Sequence, residues 1–188
     1  MTNVLGQPTV FLDRDGTLNV EKDYLYRFED WEWIDGSLEA LRILRENGFI
    51  TIVVSNQAGI ARGKFSAQDV DLLHSKVMLD LADKGAVIDD FYYCPYHPDF
   101  NNEQQCLSRK PNPGMLTKAV EKWNVDLSRS WMIGDKLIDV DAGKAAGVNT
   151  VLVLTGYGAR EIKHASSQQC VATNLLDAVN EFVLPRNY

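Results

Sequence analysis

Five short apolar runs constrain this chain more than any other feature. They are Thr9-Val10-Phe11-Leu12, Phe49-Ile50-Thr51-Ile52-Val53-Val54, Val87 to Tyr93, Ser130-Trp131-Met132-Ile133 and Thr150 to Leu154. Each is too short for a helix and rich in β-branched or aromatic residues, so each reads as a buried strand. Helical periods lie between them. Leu38, Leu41, Ile43 and Leu44 recur at helical spacing and Gly48 stops the run. Ser66 with Asp69 has the form of a capping box and opens a helix to about Lys84. Gly114–Trp123 and Ile138–Ala146 follow, then weaker helices near 160–165 and 175–182. Strand and helix in alternation predict βαβ units: a Rossmann-like α/β fold with a parallel sheet and helices on both faces. Residues 16–35 read as a flap-like loop with a short hairpin, and 94–113 as a long loop. The chain has 188 residues, is 45% hydrophobic and shows no linker, which predicts one domain over 1–188.

In a parallel sheet of this kind, ligands bind beyond the carboxyl ends of the strands. The first run is followed by Asp13-Arg14-Asp15-Gly16-Thr17 and the second by Ser55-Asn56-Gln57. The third and its loop lead to Arg109-Lys110-Pro111, and the fourth to Gly134-Asp135-Lys136, with Asp139 beyond. Polar chemistry at four successive strand ends is the mark of a site. Asp13 and Asp15 stand two apart, the spacing that points side chains the same way in an extended segment. Two carboxylates so placed, joined by Asp135, repel unless a cation lies between them. An oxygen-rich set without clustered Cys or His favours a hard cation, and Mg²⁺ is the one usually found beside phosphates. Asp13 could then attack phosphorus and form an aspartyl-phosphate, while Asp15 serves as general acid and base. Ser55 offers a hydroxyl to phosphate oxygens and Lys110 a fixed positive charge. Gly16 allows close backbone approach, and Thr17 can bond Asp13 or cap the turn.

The formal net charge is −7 and no basic stripe is present, which argues against nucleic acid as a partner. An anionic substrate would need local positive charge, available from Arg14, Arg62, Lys64, Arg109, Lys110 and Lys136. Three cysteines, Cys94, Cys106 and Cys170, do not make a disulfide framework. Met1 to Pro8 lacks the form of a signal peptide, and no apolar run reaches the ~18 residues of a membrane span. A cytoplasmic monomer is the expectation.

These motifs resemble the haloacid dehalogenase superfamily of phosphotransferases, over residues 9–154. The resemblance implies a capless fold, with Asp13 as nucleophile and Asp15 as acid/base. It also implies Mg²⁺ held by the Asp13 carboxylate, the Asp15 backbone carbonyl and Asp135. A finer resemblance is to the heptose 1,7-bisphosphate 7-phosphatase family. It rests on Ser55 to Phe65, on Tyr92-Tyr93-Cys94-Pro95 with Ser108 to Met115, and on Gly134 to Asp139. It implies removal of the C7 phosphate, a step toward activated heptose for surface polysaccharide such as lipopolysaccharide. Asn56, Arg62, Lys64, Arg109 and Lys136 would then hold the sugar bisphosphate, with Asp139 and Thr17 in support. Such relatives carry a zinc loop with a Cys-x-His pair and a Cys-x-Cys pair. Here Tyr96 and Ser108 replace two ligands, leaving Cys94, His97 and Cys106, so no structural zinc is expected. The rival readings are a histidinol-phosphate phosphatase, a non-catalytic sugar-phosphate binding module and a nucleic-acid end phosphatase.

Overall fold

The computed structural model describes residues 6–186. Most of Met1–Pro8, where a signal peptide was not expected, lies outside the described residues. Six parallel strands form one sheet in the order β3-β2-β1-β4-β5-β6. They are β1 (Thr9–Leu12), β2 (Ile50–Asn56), β3 (Asp90–Cys94), β4 (Trp131–Gly134), β5 (Asn149–Val153) and β6 (Cys170–Ala172). The helices are α1 (Ser37–Glu46), α2 (Ala58–Ala61), α3 (Ala67–Asp83), α4 (Glu103–Cys106), α5 (Gly114–Trp123), α6 (Leu137–Ala146), α7 (Gly158–Glu161) and α8 (Leu175–Ala178). The chain builds outward from β1 to β3, then returns to lay β4 on the other side of β1. The carboxyl ends of β1 and β4 therefore flank the point where the strand order reverses, the place in such sheets where a crevice opens.

Strand alternation explains the three layers. Val10 and Leu12 of β1 point into one core with Leu41 and Leu44 of α1 and Leu73 and Val77 of α3. Phe11 points the other way, into a second core with Met115 and Leu116 of α5 and Ala142 of α6. Both faces of the sheet are thus covered, as continuous apolar strands require. Ser66 caps α3 through the reciprocal bonds of a capping box with Asp69, as the sequence indicates. Among the described residues, no helix is long and apolar enough to cross a membrane.

The structure departs from the sequence reading in several places. β2 runs on to Asn56, so Ser55 and Asn56 are its last residues rather than a turn after it. β3 starts at Asp90, not Val87: before it the Asp89 N–H still donates to Thr51 O, but the Thr51 N–H goes to the Asp89 carboxylate and its hydroxyl to Asp89 and Val87 O, so the ladder does not extend. The 16–35 segment has a 3-10 turn at Phe28–Asp30 and isolated bridges, Asn19 with Trp33 among them, where a hairpin was expected. β6 was not foreseen; its three residues are too few to show a period.

Candidate active site

The turn after β1 is tied to β4 by the Asp13 N–H, which donates to Ile133 O at 2.9 Å. Lys110, carried in by the loop after β3, reaches this point with a side chain only 1% exposed. Its Nζ lies 2.7 Å from Asp13 Oδ1 and 2.7 Å from Asp139 Oδ1, and donates to Val54 O at 2.6 Å. Asn56 holds the Lys110 backbone from both sides: Nδ2 donates to Lys110 O and Oδ1 accepts from Lys110 N, each at 3.0 Å. Burial works against the ammonium, but Asp13 and Asp139 outweigh it and raise the Lys110 pKa. The lysine is a fixed cation.

Asp13, Asp135 and Asp139 each present an oxygen, all within 4.8 Å of one another. Asp135 Oδ2 accepts the Tyr157 N–H at 2.7 Å, while its buried Oδ1 has no hydrogen-bond partner. Backbone closes over this carboxylate. A Cβ on Gly16 would lie 2.3 Å from Asp135 Oδ2, and one on Gly156 2.2 Å from it. Burial first, and the Asp13 charge second, push the Asp135 carboxyl well above the usual carboxylate range. Burial raises Asp139 too, against the pull of Lys110. A buried carboxylate oxygen without a partner, beside two more carboxylates, fits a hard divalent cation. The carboxylates gathered here are Asp13, Asp135 and Asp139; the Asp15 carboxylate, expected beside Asp13, is turned elsewhere.

Asp15 is gripped by Arg14, which is wholly buried. Arg14 Nε and Nη2 both donate to its carboxylate, with Nη2 2.8 Å from Oδ2. Asn19 Nδ2 donates to Oδ1 at 3.0 Å and Gln57 Nε2 to Oδ2 at 3.2 Å. Gln57 also donates to Ser55 Oγ at 2.7 Å, linking the two. Burial would raise the Asp15 carboxyl, but the Arg14 charge and the other donors prevail and hold it below its ordinary value. Arg14 Nη2 also donates to Leu25 O, and Nη1 lies 3.5 Å from His74 Nε2. Sequence reading offered Arg14 only as general positive charge and missed Asn19 and Gln57. The signal was there in part, since Asn19 belongs to the same tight turn: the Gly16 N–H donates to Asn19 O.

A cavity of about 220 Å³ opens over these groups. Asp13, Asp15, Ser55, Asn56, Lys110, Lys136 and Asp139 line it, while Asp135, which the strand-end reading placed with them, lies beneath the backbone of Gly16 and Gly156 and does not. So does Phe65, the last residue of the Ser55–Phe65 stretch, and so do Glu21, Asp23, Tyr24 and Tyr157, which the sequence did not suggest. Lys136 Nζ sits 3.3 Å from Glu21 and 4.4 Å from the centre of the Tyr157 ring. Its carboxylate neighbours, Asp135 first, outweigh burial and raise its pKa. Arg62, Lys64 and Arg109 do not line the cavity. Arg62 faces Asp99 at 3.4 Å and the Phe100 ring, Arg109 donates to Tyr96 O at 3.2 Å, and Lys64 is exposed. Thr17 is buried with its hydroxyl unpartnered, so the expected bond to Asp13 is not made; its N–H donates to Arg14 O instead.

In the 94–113 loop, Ser108 Oγ donates to Cys94 Sγ at 3.3 Å, and Arg62 Nη2 stands 3.4 Å from His97 Nε2. The one-turn helix α4, with Asn102 and Gln105 as a capping box, occupies a stretch expected to be plain loop. The three thiols are free.

Comparison with known proteins decides the family. The D-glycero-beta-D-manno-heptose-1,7-bisphosphate 7-phosphatase of Pasteurella multocida is 47% identical over 78% of this chain and 82% of its own. The chain belongs to this phosphatase family, within the haloacid dehalogenase superfamily. The Escherichia coli K12 member is 46% identical over 79% of this chain and 80% of its own. A family model described as "HAD-hyrolase-like" matches residues 107–178. The D,D-heptose 1,7-bisphosphate phosphatase of B. bronchiseptica, solved with magnesium and phosphate, superposes with a TM-score of 0.86 at 30% identity, covering 96% of this chain and 99% of that one. The Burkholderia thailandensis enzyme gives 0.70 at 29% identity, over 94% and 99%. The capless α/β fold expected from the motifs is the family's fold.

Proposed function

We propose that this phosphatase removes the C7 phosphate of D-glycero-β-D-manno-heptose 1,7-bisphosphate with Mg²⁺, through an aspartyl-phosphate on Asp13. The observation that carries the chemistry is Asp13 itself: buried, ion-paired at 2.7 Å to Lys110, and grouped with Asp135 and Asp139. The names of the relatives carry the substrate and its β anomer.

Asp13 attacks phosphorus as the bond from phosphorus to the C7 oxygen breaks, and Asp15 gives that oxygen a proton. Water then attacks the aspartyl-phosphate, Asp15 takes its proton, and the Asp13–phosphorus bond breaks to release phosphate. With four donor contacts, Asp15 rests as a carboxylate, the form that deprotonates water. An arriving phosphate dianion raises its pKa and so favours the protonated form that the first step uses. Lys110 steadies Asp13 in both steps, and the Ser55 hydroxyl meets a phosphoryl oxygen. The Asp13 and Asp135 carboxylates and the Asp15 carbonyl would hold Mg²⁺, which offsets the charge of the carboxylates and the phosphoryl group when bound. Asp139 supports Lys110.

Lys136 and Asn56 border the sugar. Lys64 and Arg109, next in sequence to the cavity residues Phe65 and Lys110, and Arg62, between Gly59 and Phe65 in the chain, are proposed to meet the C1 phosphate as it projects from the mouth, by the bidentate grip arginine gives phosphate. The chain is proposed to act as a cytoplasmic monomer and a single domain, with the 94–113 loop standing without zinc. The test is a panel of both heptose bisphosphate anomers, fructose bisphosphate and histidinol phosphate, each with Mg²⁺ and with EDTA. Fastest turnover of the β anomer, lost in EDTA and in Asp13→Asn, is expected. Preference for histidinol phosphate, or activity retained in Asp13→Asn, refutes the proposal.

A further inference from the structure

The end of β5 bears no carboxylate and took no part in the sequence reading of the site, yet it touches the centre at several points. Thr155 Oγ1 donates to Gly16 O at 2.6 Å. The Tyr157 N–H donates to Asp135 Oδ2 at 2.7 Å. Between them Gly156, at φ +52°, lies so close that a Cβ there would stand 2.2 Å from Asp135 Oδ2 and 2.7 Å from Gly16 Cα. The turn in turn is fixed to the fold, since the Gly158 N–H donates to Thr155 O at 2.8 Å.

We propose that the Thr155-Gly156-Tyr157 turn is a positioning element for the metal centre, which fixes one oxygen of Asp135 so that the other is presented to the cation. Three strand ends meet there. Tyr157 takes Oδ2 with a backbone N–H, which cannot swing away as a side-chain donor can. Oδ1 is thereby the oxygen left without a partner. Gly16 and Gly156 pack against each other and against Oδ2 of the carboxylate, and leave that end of it little room to move. Thr155 holds the Gly16 carbonyl, and the Gly16 N–H donates to Asn19 O at 2.8 Å. That second bond fixes the plane of the Asp15–Gly16 peptide, and in a trans peptide the Asp15 carbonyl must point opposite to the N–H. One hydroxyl in the turn after β5 therefore steadies the turn that orients both the Asp15 carbonyl and the cover over Asp135. Groups behind metal ligands typically change metal affinity on the order of 10–100-fold when removed.

The inference rests on the Mg²⁺ reading given above. Mn²⁺ is the probe, with free ion counted by EPR in titrations of protein stripped with EDTA and desalted. Thr155→Val keeps the shape and loses the hydroxyl; Thr155→Ser keeps the hydroxyl. The expected result is Mn²⁺ affinity weakened at least about tenfold in Thr155→Val and restored to within about threefold in Thr155→Ser, with the metal-free melting temperatures close together. Gly156→Ala and Gly48→Ala form a second pair. Both add a methyl at positive φ, but at Gly48 nothing lies within 4 Å, so only Gly156→Ala touches the carboxylate. Gly156→Ala is expected to weaken Mn²⁺ binding and Gly48→Ala to leave it unchanged. This pair decides the matter if Thr155→Val does not fold. Wild-type affinity in Thr155→Val, or equal loss in the two alanine variants, overturns the positioning role and leaves the Mg²⁺ reading standing. Failure of the wild-type protein to bind Mn²⁺ would overturn both.

Discussion

Replacing Lys110 with methionine keeps most of its length and removes the one ammonium between Asp13 and Asp139. The side chain is 1% exposed, so water does not take over its three contacts. Removing one partner of a buried pair costs about 3–5 kcal/mol, because the partner charge remains unpaired. Val54 O also loses its donor, but relaxation overlaps with the first term, so about 3–5 kcal/mol is the expected total. For a chain of this length each kcal/mol moves the melting temperature by about 2–4 °C, which gives a fall of roughly 6–20 °C. The assay is urea unfolding followed by circular dichroism, in EDTA at about pH 7.5, with the slope compared between proteins. Adding Asp139→Asn to Lys110→Met neutralises one of the two stranded carboxylates. It should recover on the order of 0.5–3 kcal/mol, as coupled neighbours do. Turnover should fall on the order of 10²–10³-fold in Lys110→Met, the loss typical of a charge-stabilising donor in an active site. A stability loss under about 1 kcal/mol, or no recovery on adding Asp139→Asn, refutes the view that Lys110 neutralises this cluster.

Asp135 and Asp139 have carboxyls raised by burial, so the folded protein binds their protons more tightly than the unfolded chain. Their contribution to metal-free stability falls as pH rises from the unfolded value of about 4 through their folded values, and the stabilisation given by saturating Mg²⁺ should grow from about pH 5 to pH 8. Urea midpoints with and without Mg²⁺ measure this, and a constant difference contradicts it. Arg14→Lys loses the two-pronged grip on Asp15 and should move to higher pH the basic limb of the kcat/KM profile, where the protonated Asp15 used by the first step is lost, since Arg14 holds that carboxyl low. An unmoved limb counts against Arg14 as the cause. Metal analysis of the purified protein should find no stoichiometric zinc, because Cys94 is engaged with Ser108 and two expected ligands are absent. One zinc per chain would overturn that.

The strand ends were legible because short apolar runs stop abruptly at polar residues, and a parallel sheet brings all such ends to one edge. Asp13, Ser55 and Asp135 stand at or just beyond such ends, whereas Lys110 is brought in by the long loop after β3. What could not be read was direction. Asp15 stands two residues from Asp13, but the buried Arg14 draws its carboxylate aside. Asn56 carries the chemistry of a ligand contact, yet its amide fits the Lys110 backbone at both ends. Arg62 and Arg109 are near the cavity in sequence while their side chains turn to the 94–113 loop. Tyr157 and Thr155 were invisible because backbone N–H donors and lone hydroxyls leave no pattern in a sequence.

The charge of the cavity links its two ligands. Its lining carries Asp13, Asp15, Glu21, Asp23 and Asp139 against Lys110 and Lys136. Both lysines are already engaged, one with Asp13 and Asp139, the other with Glu21. A phosphate entering the metal-free cavity would therefore meet more negative charge than positive, in a setting of low dielectric where such terms are large. A divalent cation held by Asp13 and Asp135 would offset most of that excess next to the nucleophile. Cation and phosphate then bind with positive coupling, and by reciprocity each raises the affinity for the other by the same factor. The local positive charge that an anionic substrate needs would in this way come in large part from the cation, because the carboxylates of the cavity outnumber its lysines.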